Sequence, residues 1–237
     1  MGVRIVTGNI FTSKCQTIVN TVNCIGVMGA GLALECRLRY PEMYQKYVDL
    51  CANEQLQIGK LWLYRADERW VLNFPTKNHW KYPTKKEYLH TGLQKFVDTY
   101  ESCRIDSIAF PLLGADKGGI DPMDSLEIME SYLHRLGIYI EIYRYDQQAK
   151  DNLYDSVRDW LLGHDADEVC RITKLGRNYV NKVIDAMGRP DITQLNQLSR
   201  VRGIGIRTLE KLFLTAKGHL RDIDQQPGRP LQTKFDF

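Results

Sequence analysis

Residues 8–33 read GNIFTSKCQTIVNTVNCIGVMGAGLA, and the order of their parts decides the fold. A short β-branched run (Val3, Ile5, Val6) leads into them. A second run (Thr17, Ile18, Val19, Thr21, Val22) lies inside them, and a glycine-rich turn (Gly26, Gly29, Gly31) feeds a helix-forming segment at 32–38. β-Branched side chains suit a pleated backbone, whereas Leu, Ala, Glu and Arg lose little rotamer freedom in a helix. The stretch therefore reads as strand, loop, strand, glycine turn, helix. Glycine lets a backbone approach a ligand closely, and the unpaired N–H groups of a helix N-terminus attract phosphate. The spacing of Gly26, Gly29 and Gly31 departs from the dinucleotide-binding order, so taken alone the turn reads as a tight strand-to-helix connection. Asn20 and Asn23 raise the ligand reading. An amide at the end of an apolar strand is costly to bury unless bonded, and a sugar hydroxyl is a natural partner.

Working outward, Tyr40-Pro41 marks a boundary and residues 42–51 carry apolar side chains at helical spacing. Residues 61–64 and 70–74 read as two strands, with Pro75, Thr76 and Lys77 as the exit from the sheet. Thr84 is expected to cap a long amphipathic helix through Tyr100 that places Leu89, Leu93, Phe96 and Val97 on one face. A buried strand at 107–113 then feeds a second glycine loop, GADKGGID at 114–121, followed by a helix at 122–135 and a strand at 139–145. Strands alternating with helices predict an α/β layered domain over 1–148 with a mixed, mostly buried sheet. Beyond Gln147 the strands stop, and helical segments at 153–162, 167–175, 179–187 and 195–199 predict a small all-helical domain over 149–224. The Gly- and Pro-containing end at 225–237 is expected to be a flexible tail.

No long apolar run is present, which excludes a transmembrane helix, and residues 1–4 lead straight into a strand rather than a signal peptide, so a cytoplasmic location is expected. The six cysteines are scattered without a C-x-x-C pair, which argues against structural zinc and a disulfide framework. No metal or cofactor is expected. Thirty-two Lys and Arg against 29 Asp and Glu give a net charge of +3, but from Ala166 onward thirteen basic residues face eight acidic ones. That basic excess points to a nucleic-acid partner for the C-terminal region.

Gly8-Asn9-Ile10, Asn20-Thr21-Val22-Asn23 and Gly26-Val27-Met28-Gly29-Ala30-Gly31 resemble the opening motifs of macrodomains, the ADP-ribose-binding fold, and within that family the DarG-type antitoxin branch, related to terminal ADP-ribose protein glycohydrolases. The resemblance implies a three-layer macrodomain over about the first two thirds of the chain. It implies a ligand lined by Asn9, Ile10, Asn20, Asn23, Gly29, Ala30 and Gly31 from one side and by Leu113, Gly114, Asp116, Gly118 and Gly119 from the other. Asn9 stands where many macrodomains carry an Asp that reads the adenine amine, and its carbonyl is still able to accept that bond. On composition alone Lys77 is a solvated lysine beside Lys81, Lys85 and Lys86. The resemblance makes Phe74-Pro75-Thr76-Lys77 the position of a catalytic lysine that attacks the ribose anomeric carbon or stabilises the departing group. Asp121 is the implied acid, although Asp121-Pro122 is also a good helix start and Asp116 competes for the role. Trp80, with His79 and Tyr82, forms either a wall on which a thymine or other base stacks or a patch packed on the domain surface.

The segment L-x-x-V-x-G-I-G-x-x-T-L-x-x-L at 198–212 is similar to a helix-hairpin-helix element, in which Gly203 and Gly205 present backbone N–H groups to a DNA phosphate and Arg200, Arg202 and Arg207 add charge. The alternative is an αα-hairpin used for packing. The expected function is removal of ADP-ribose from a nucleobase in DNA, thymidine first, with ADP-ribose and ADP-ribosylated DNA as partners and a cognate ADP-ribosyltransferase toxin as a possible third. Hydrolysis of protein-linked ADP-ribose and ADP-ribose reading without turnover are the alternatives.

Overall fold

The computed structural model describes residues 2–224, and the tail expected at 225–237 lies outside the described residues. The chain forms two compact units, one through Asn152 and one from Leu153 onward.

The first unit runs β1 (Val3–Gly8), a 3-10 turn (Ile10–Thr12), β2 (Thr17–Asn23), α1 (Gly31–Arg39), α2 (Pro41–Ala52), β3 (Trp62–Arg65), β4 (Trp70–Lys77), α3 (Lys86–Thr99), β5 (Ser107–Pro111), α4 (Pro122–Leu133) and β6 (Tyr139–Tyr145). The sheet order is β1-β6-β5-β2-β4-β3. Every neighbouring pair is parallel except the β3–β4 hairpin, so the expected mixed sheet is observed. Parallel neighbours require crossovers, and these helices cover both faces. On β2, Ile18 and Val22 pack with Met28, Met43 and Tyr47 beneath α1 and α2. Val19 points the other way and joins Leu72, Phe74, Leu89, Phe96 and Met129 beneath α3 and α4. Three layers result, with a core on each face of the sheet.

Three local features position the site. First, β4 runs through Pro75 to Lys77 instead of leaving the sheet at Pro75. β3 pairs with β4 only as far as Asn73, so beyond that point β4 is an edge, where a residue lacking an N–H is tolerated. Secondly, Thr84 does not cap α3. Lys85 holds the N-cap position without a side-chain bond, while the Thr84 N–H donates to the Gly118 carbonyl at 2.9 Å and its Oγ1 is buried without a partner. Thirdly, Arg39 at the end of α1 lies 2.6 Å from Glu35 and 2.7 Å from Asp151, both carboxylates being buried, with its guanidinium 4.1 Å above the Phe11 ring.

The second unit is all helical: α5 (Asn152–Leu162), α6 (Ala166–Thr173), α7 (Arg177–Met187), a 3-10 helix (Leu195–Arg200) and α8 (Ile206–Asp224). Val157, Trp160, Val180, Val183, Leu198, Leu209 and Phe213 are buried, and the Tyr154 hydroxyl donates to the Ile192 carbonyl at 2.8 Å.

Candidate active site

β1, β2, β4, β5 and β6 run parallel, so Gly8, Asn23, Lys77, Pro111 and Tyr145 all emerge at one edge of the sheet. In open α/β sheets that edge is where ligands bind. The first glycine loop is wound around Asn23. Its Oδ1 accepts from the N–H groups of Ile25 (3.1 Å) and Val27 (3.3 Å) and from the Tyr47 hydroxyl (3.1 Å), and its Nδ2 donates to the Val27 carbonyl at 2.6 Å. In this structure the Asn23 amide is engaged in shaping the loop. Asn20 is 0% exposed at mid-strand and donates to Asn73 Oδ1 at 2.9 Å, while its own Oδ1 is buried without a partner. Beyond the exposed Gly29 and Ala30, α1 starts at Gly31 with no side-chain cap, so its first-turn N–H groups have no capping acceptor.

The second loop closes on itself through Ile120 N–H to Gly114 O (3.0 Å) and Gly119 N–H to Ala115 O (3.3 Å). A Cβ at Gly118 would stand 2.1 Å from the Gly114 oxygen, so only glycine fits there. Among the described residues the N–H groups of Asp116, Lys117 and Gly118 have no acceptor. The two loops face each other, since a Cβ at Gly31 would lie 3.8 Å from Asp116 Oδ2. Leu113 is 0% exposed and its carbonyl accepts the Ser125 hydroxyl at 2.8 Å, and the Ile10 side chain belongs to the core, so neither side chain reaches the cleft.

Lys77, the last residue of β4, is in register with Asn23 just past a bulge at Val22/Asn23. Its Nζ donates to the Lys117 carbonyl of the second loop. Partial burial pushes its ammonium pKa below the ordinary lysine value; Asp116 opposes that shift and Lys117 adds to it. An amine that is more readily neutral is thus placed where both loops meet. Of the two candidate acids, Asp116 is the one whose charge acts on Lys77. Asp121 caps α4, its Oδ1 accepting from Met123 N–H (2.8 Å) and Asp124 N–H (3.3 Å), with Pro122 at the first helical position. The helix-start reading of Asp121 is therefore realised.

At the far side of this edge, Asn9 Oδ1 already accepts from Phe11 N–H at 3.0 Å, and its Nδ2 is buried without a partner. One Asn9 carbonyl lone pair is taken, and the amide donor is the unsatisfied group. Cys24 beside the first loop has its thiol pushed up to about 11 by burial, which removes it as a nucleophile near neutral pH. The loop after Lys77 carries His79, Trp80 and Tyr82 as a ring cluster, with Trp80 and Tyr82 exposed. Among the described residues no group of three or more His, Cys, Asp or Glu is placed to hold a metal ion.

In the second unit Gly203, at φ +90°, turns the chain between the 3-10 helix and α8. Ile204 is buried beneath the turn, while Arg200, Arg202, Gly203, Gly205 and Arg207 are exposed. A Cβ at Gly203 would lie 2.8 Å from Lys182 Nζ, so α7 contributes a cation to this turn. Lys182 is 21 positions before Gly203 in the chain, and no linear motif links them. The Lys117 carbonyl and the Thr84 backbone bond were equally invisible in sequence, because a backbone group carries no residue signature.

A family model described as Macro domain matches residues 19–129. Over 145 residues, 59% of this chain, the sequence is 39% identical to a DNA ADP-ribosyl glycohydrolase of Thermus aquaticus, of which the match covers 40%. The chain spans about two fifths of the length of the curated relatives it matches. Among solved structures, it is similar to the macrodomain of Thermus aquaticus DarG, at 38% identity and a TM-score of 0.57, over 60% of this chain and 97% of that one. It is also similar to Thermosipho africanus DarTG in complex with ADP-ribose, at 31% identity and a TM-score of 0.57, over 62% of this chain and 43% of that one.

Proposed function

The chain belongs to the macrodomain family, and from that premise we propose that it is a hydrolase removing ADP-ribose from a nucleobase in DNA, with thymidine as the modified nucleoside. The observation that carries the proposal is Lys77. A module that only held ADP-ribose would need the two N–H-lined loops, but not a partly desolvated amine aimed between them. The N–H groups of Asp116, Lys117 and Gly118 and of the first turn of α1 hold the diphosphate, which brings the distal ribose to Lys77. The neutral Nζ attacks the anomeric carbon, the bond from that carbon to the base nitrogen breaks, and the base leaves with a proton from solvent or an acid. Water then adds to the same carbon, the Nζ–carbon bond breaks, and ADP-ribose departs. Asp116, facing Gly31 across the cleft, is the acid best placed to act with Lys77; Asp121 secures the helix behind the loop.

Arg200, Arg202, Arg207 and Lys182 around the Gly203–Gly205 turn hold DNA through phosphate contacts in the same proposal. A cognate ADP-ribosyltransferase toxin is the partner that would write the modification; the Thermosipho africanus relative is named as a fusion of a DNA ADP-ribosyl transferase with a DNA ADP-ribosyl glycohydrolase. No described helix is long and apolar enough to cross a membrane, and the cytoplasm is the proposed location.

The test is incubation of the full chain and Lys77→Ala with a thymidine-linked ADP-ribosylated oligonucleotide and with auto-ADP-ribosylated protein. Release of ADP-ribose from the oligonucleotide, slowed by roughly hundredfold or more in the variant, is expected. Release from protein alone would transfer the proposal to protein esters, and release from neither, with ADP-ribose still bound, would leave a reader.

A further inference from the structure

We propose that the loop joining β4 to α3 is a stacking platform for the nucleotides that flank the modified one on a single DNA strand. The inference rests on the function proposed above. If ADP-ribose lies between the two glycine loops with its distal ribose at Lys77, whatever is attached to that ribose leaves the cleft beside residues 78–85, because that loop continues directly from Lys77.

The loop is held at both ends and open at its tip. Cys24 N–H donates to the Asn78 carbonyl at 3.3 Å, which ties it to the first glycine loop. Thr84 N–H donates to the Gly118 carbonyl at 2.9 Å, which ties it to the second, and Asn78 Nδ2 donates to the Tyr88 hydroxyl at 3.1 Å on α3. Between these ties a turn closed by Tyr82 N–H to His79 O (3.2 Å) gathers three rings. His79 lies near-parallel to Trp80, at 25° with centroids 5.7 Å apart, and 5.4 Å from Tyr82. Trp80 is 49% exposed and Tyr82 66%. The segment 76–86 holds four lysines and no acidic residue. Lys86 is paired with Asp124 and Lys77 faces the cleft, but Lys81 and Lys85 have no carboxylate partner among the described residues. Lys81 Nζ sits 5.2 Å above the Trp80 ring.

Large apolar rings left in water beside unpaired ammonium groups match a chain that offers both π-faces and phosphates. Every base has a face to stack, and the lysines neutralise the backbone between bases. A duplex keeps its base faces covered, so the partner is a single strand. The rings serve neighbouring bases because the modified base is placed by its bond to the ribose at Lys77, while the tip lies three to five residues further along the loop.

The experiment uses the full chain, so the second unit is common to every arm. Hydrolysis is compared on ADP-ribosyl-thymidine and on a ten-nucleotide single strand carrying the same adduct, with wild type, Trp80→Ala and Trp80→Phe. Binding of the unmodified fluorescent oligonucleotide is read separately by anisotropy. Trp80→Ala is expected to lower kcat/KM on the oligonucleotide at least about fivefold more than on the mononucleoside, to weaken unmodified-strand binding, and to be largely rescued in Trp80→Phe. An equal penalty on both substrates would assign the ring to the modified base and overturn the proposal, as would no penalty on either. Absence of wild-type turnover on both substrates would refute the hydrolase reading instead, while the anisotropy arm still decides whether the platform binds a strand.

Discussion

Two neighbouring glycines in the second loop are required for opposite reasons, and replacing each by alanine separates them. Gly118 has no left-handed backbone to protect, but its Cβ would stand 2.1 Å from the Gly114 oxygen and 2.6 Å from the Gly114 Cα. Ordinary contact begins near 3.4 Å, so the loop must open by about 1.3 Å against backbone that cannot swing aside as a flexible side chain does. Such overpacking costs about 1–3 kcal/mol. The Ile120-to-Gly114 and Thr84-to-Gly118 bonds, at 3.0 and 2.9 Å, are strained together with it, at about 1 kcal/mol each. Gly118→Ala is thus expected to lose roughly 3–5 kcal/mol, which in a domain of this size lowers Tm by about 10 °C. Gly119 has φ +80° and nothing within 4 Å of an added methyl, so Gly119→Ala meets only the left-handed penalty of about 1 kcal/mol, or about 3 °C. The measurements are thermal unfolding by circular dichroism and ADP-ribose titration by calorimetry. Gly118→Ala should weaken ADP-ribose binding at least about tenfold by displacing the free N–H groups, and Gly119→Ala by far less. An equal or larger loss for Gly119→Ala in either assay would refute the reasoning.

Other expectations concern charge. The Asp116 carboxylate favours the Lys77 ammonium, whereas attack needs the neutral amine; Asp116→Asn should therefore move the alkaline-going rise of kcat/KM to lower pH, while Asp121→Asn leaves that profile in place. A pH–rate profile that shifts only for the second variant would reverse the assignment of the two acids. Arg39→Met leaves Glu35 and Asp151 buried without their guanidinium and should cost about 3–5 kcal/mol, read by urea unfolding. Arg202→Glu should lower affinity for unmodified DNA and flatten its dependence on log salt by about one unit of slope, with ADP-ribose binding unchanged; identical salt slopes would remove the turn at Gly203 from the DNA interface.

The layered sheet was legible because residue pattern decides it: β-branched runs bounded by glycine gave β2 and both loops, and the amphipathic spacing of Leu89, Leu93 and Phe96 gave α3. Capping was read less well. Thr84 has the chemistry of an N-cap, but the Gly118 carbonyl takes its backbone N–H and the helix starts one turn position later, a competition between distant segments that no local rule registers. The amides at 20 and 23 show the same limit. The sequence signals that a polar group stands at a strand end, but whether its partner is a ligand, a neighbouring strand or its own loop depends on which acceptor folding brings within 3 Å. For Asn20 it was Asn73, and for Asn23 it was the loop that follows it. Asp121 was legible as a cap because Asp followed by Pro is a local signal, and the electrostatic role of Asp116 was not, because it depends on Lys77, 39 positions away.

Because Lys77 is the terminal rung of β4, opposite Asn23 at the root of the first loop, its place beside that loop is set by strand pairing. Residues 79–83, between the ties at Asn78 and Thr84, can lengthen, shorten or change composition without moving it. On the proposed function, selection can retune the strand-binding arch while leaving the amine in place, and variation among its kin should concentrate in that arch and spare the rung beneath it.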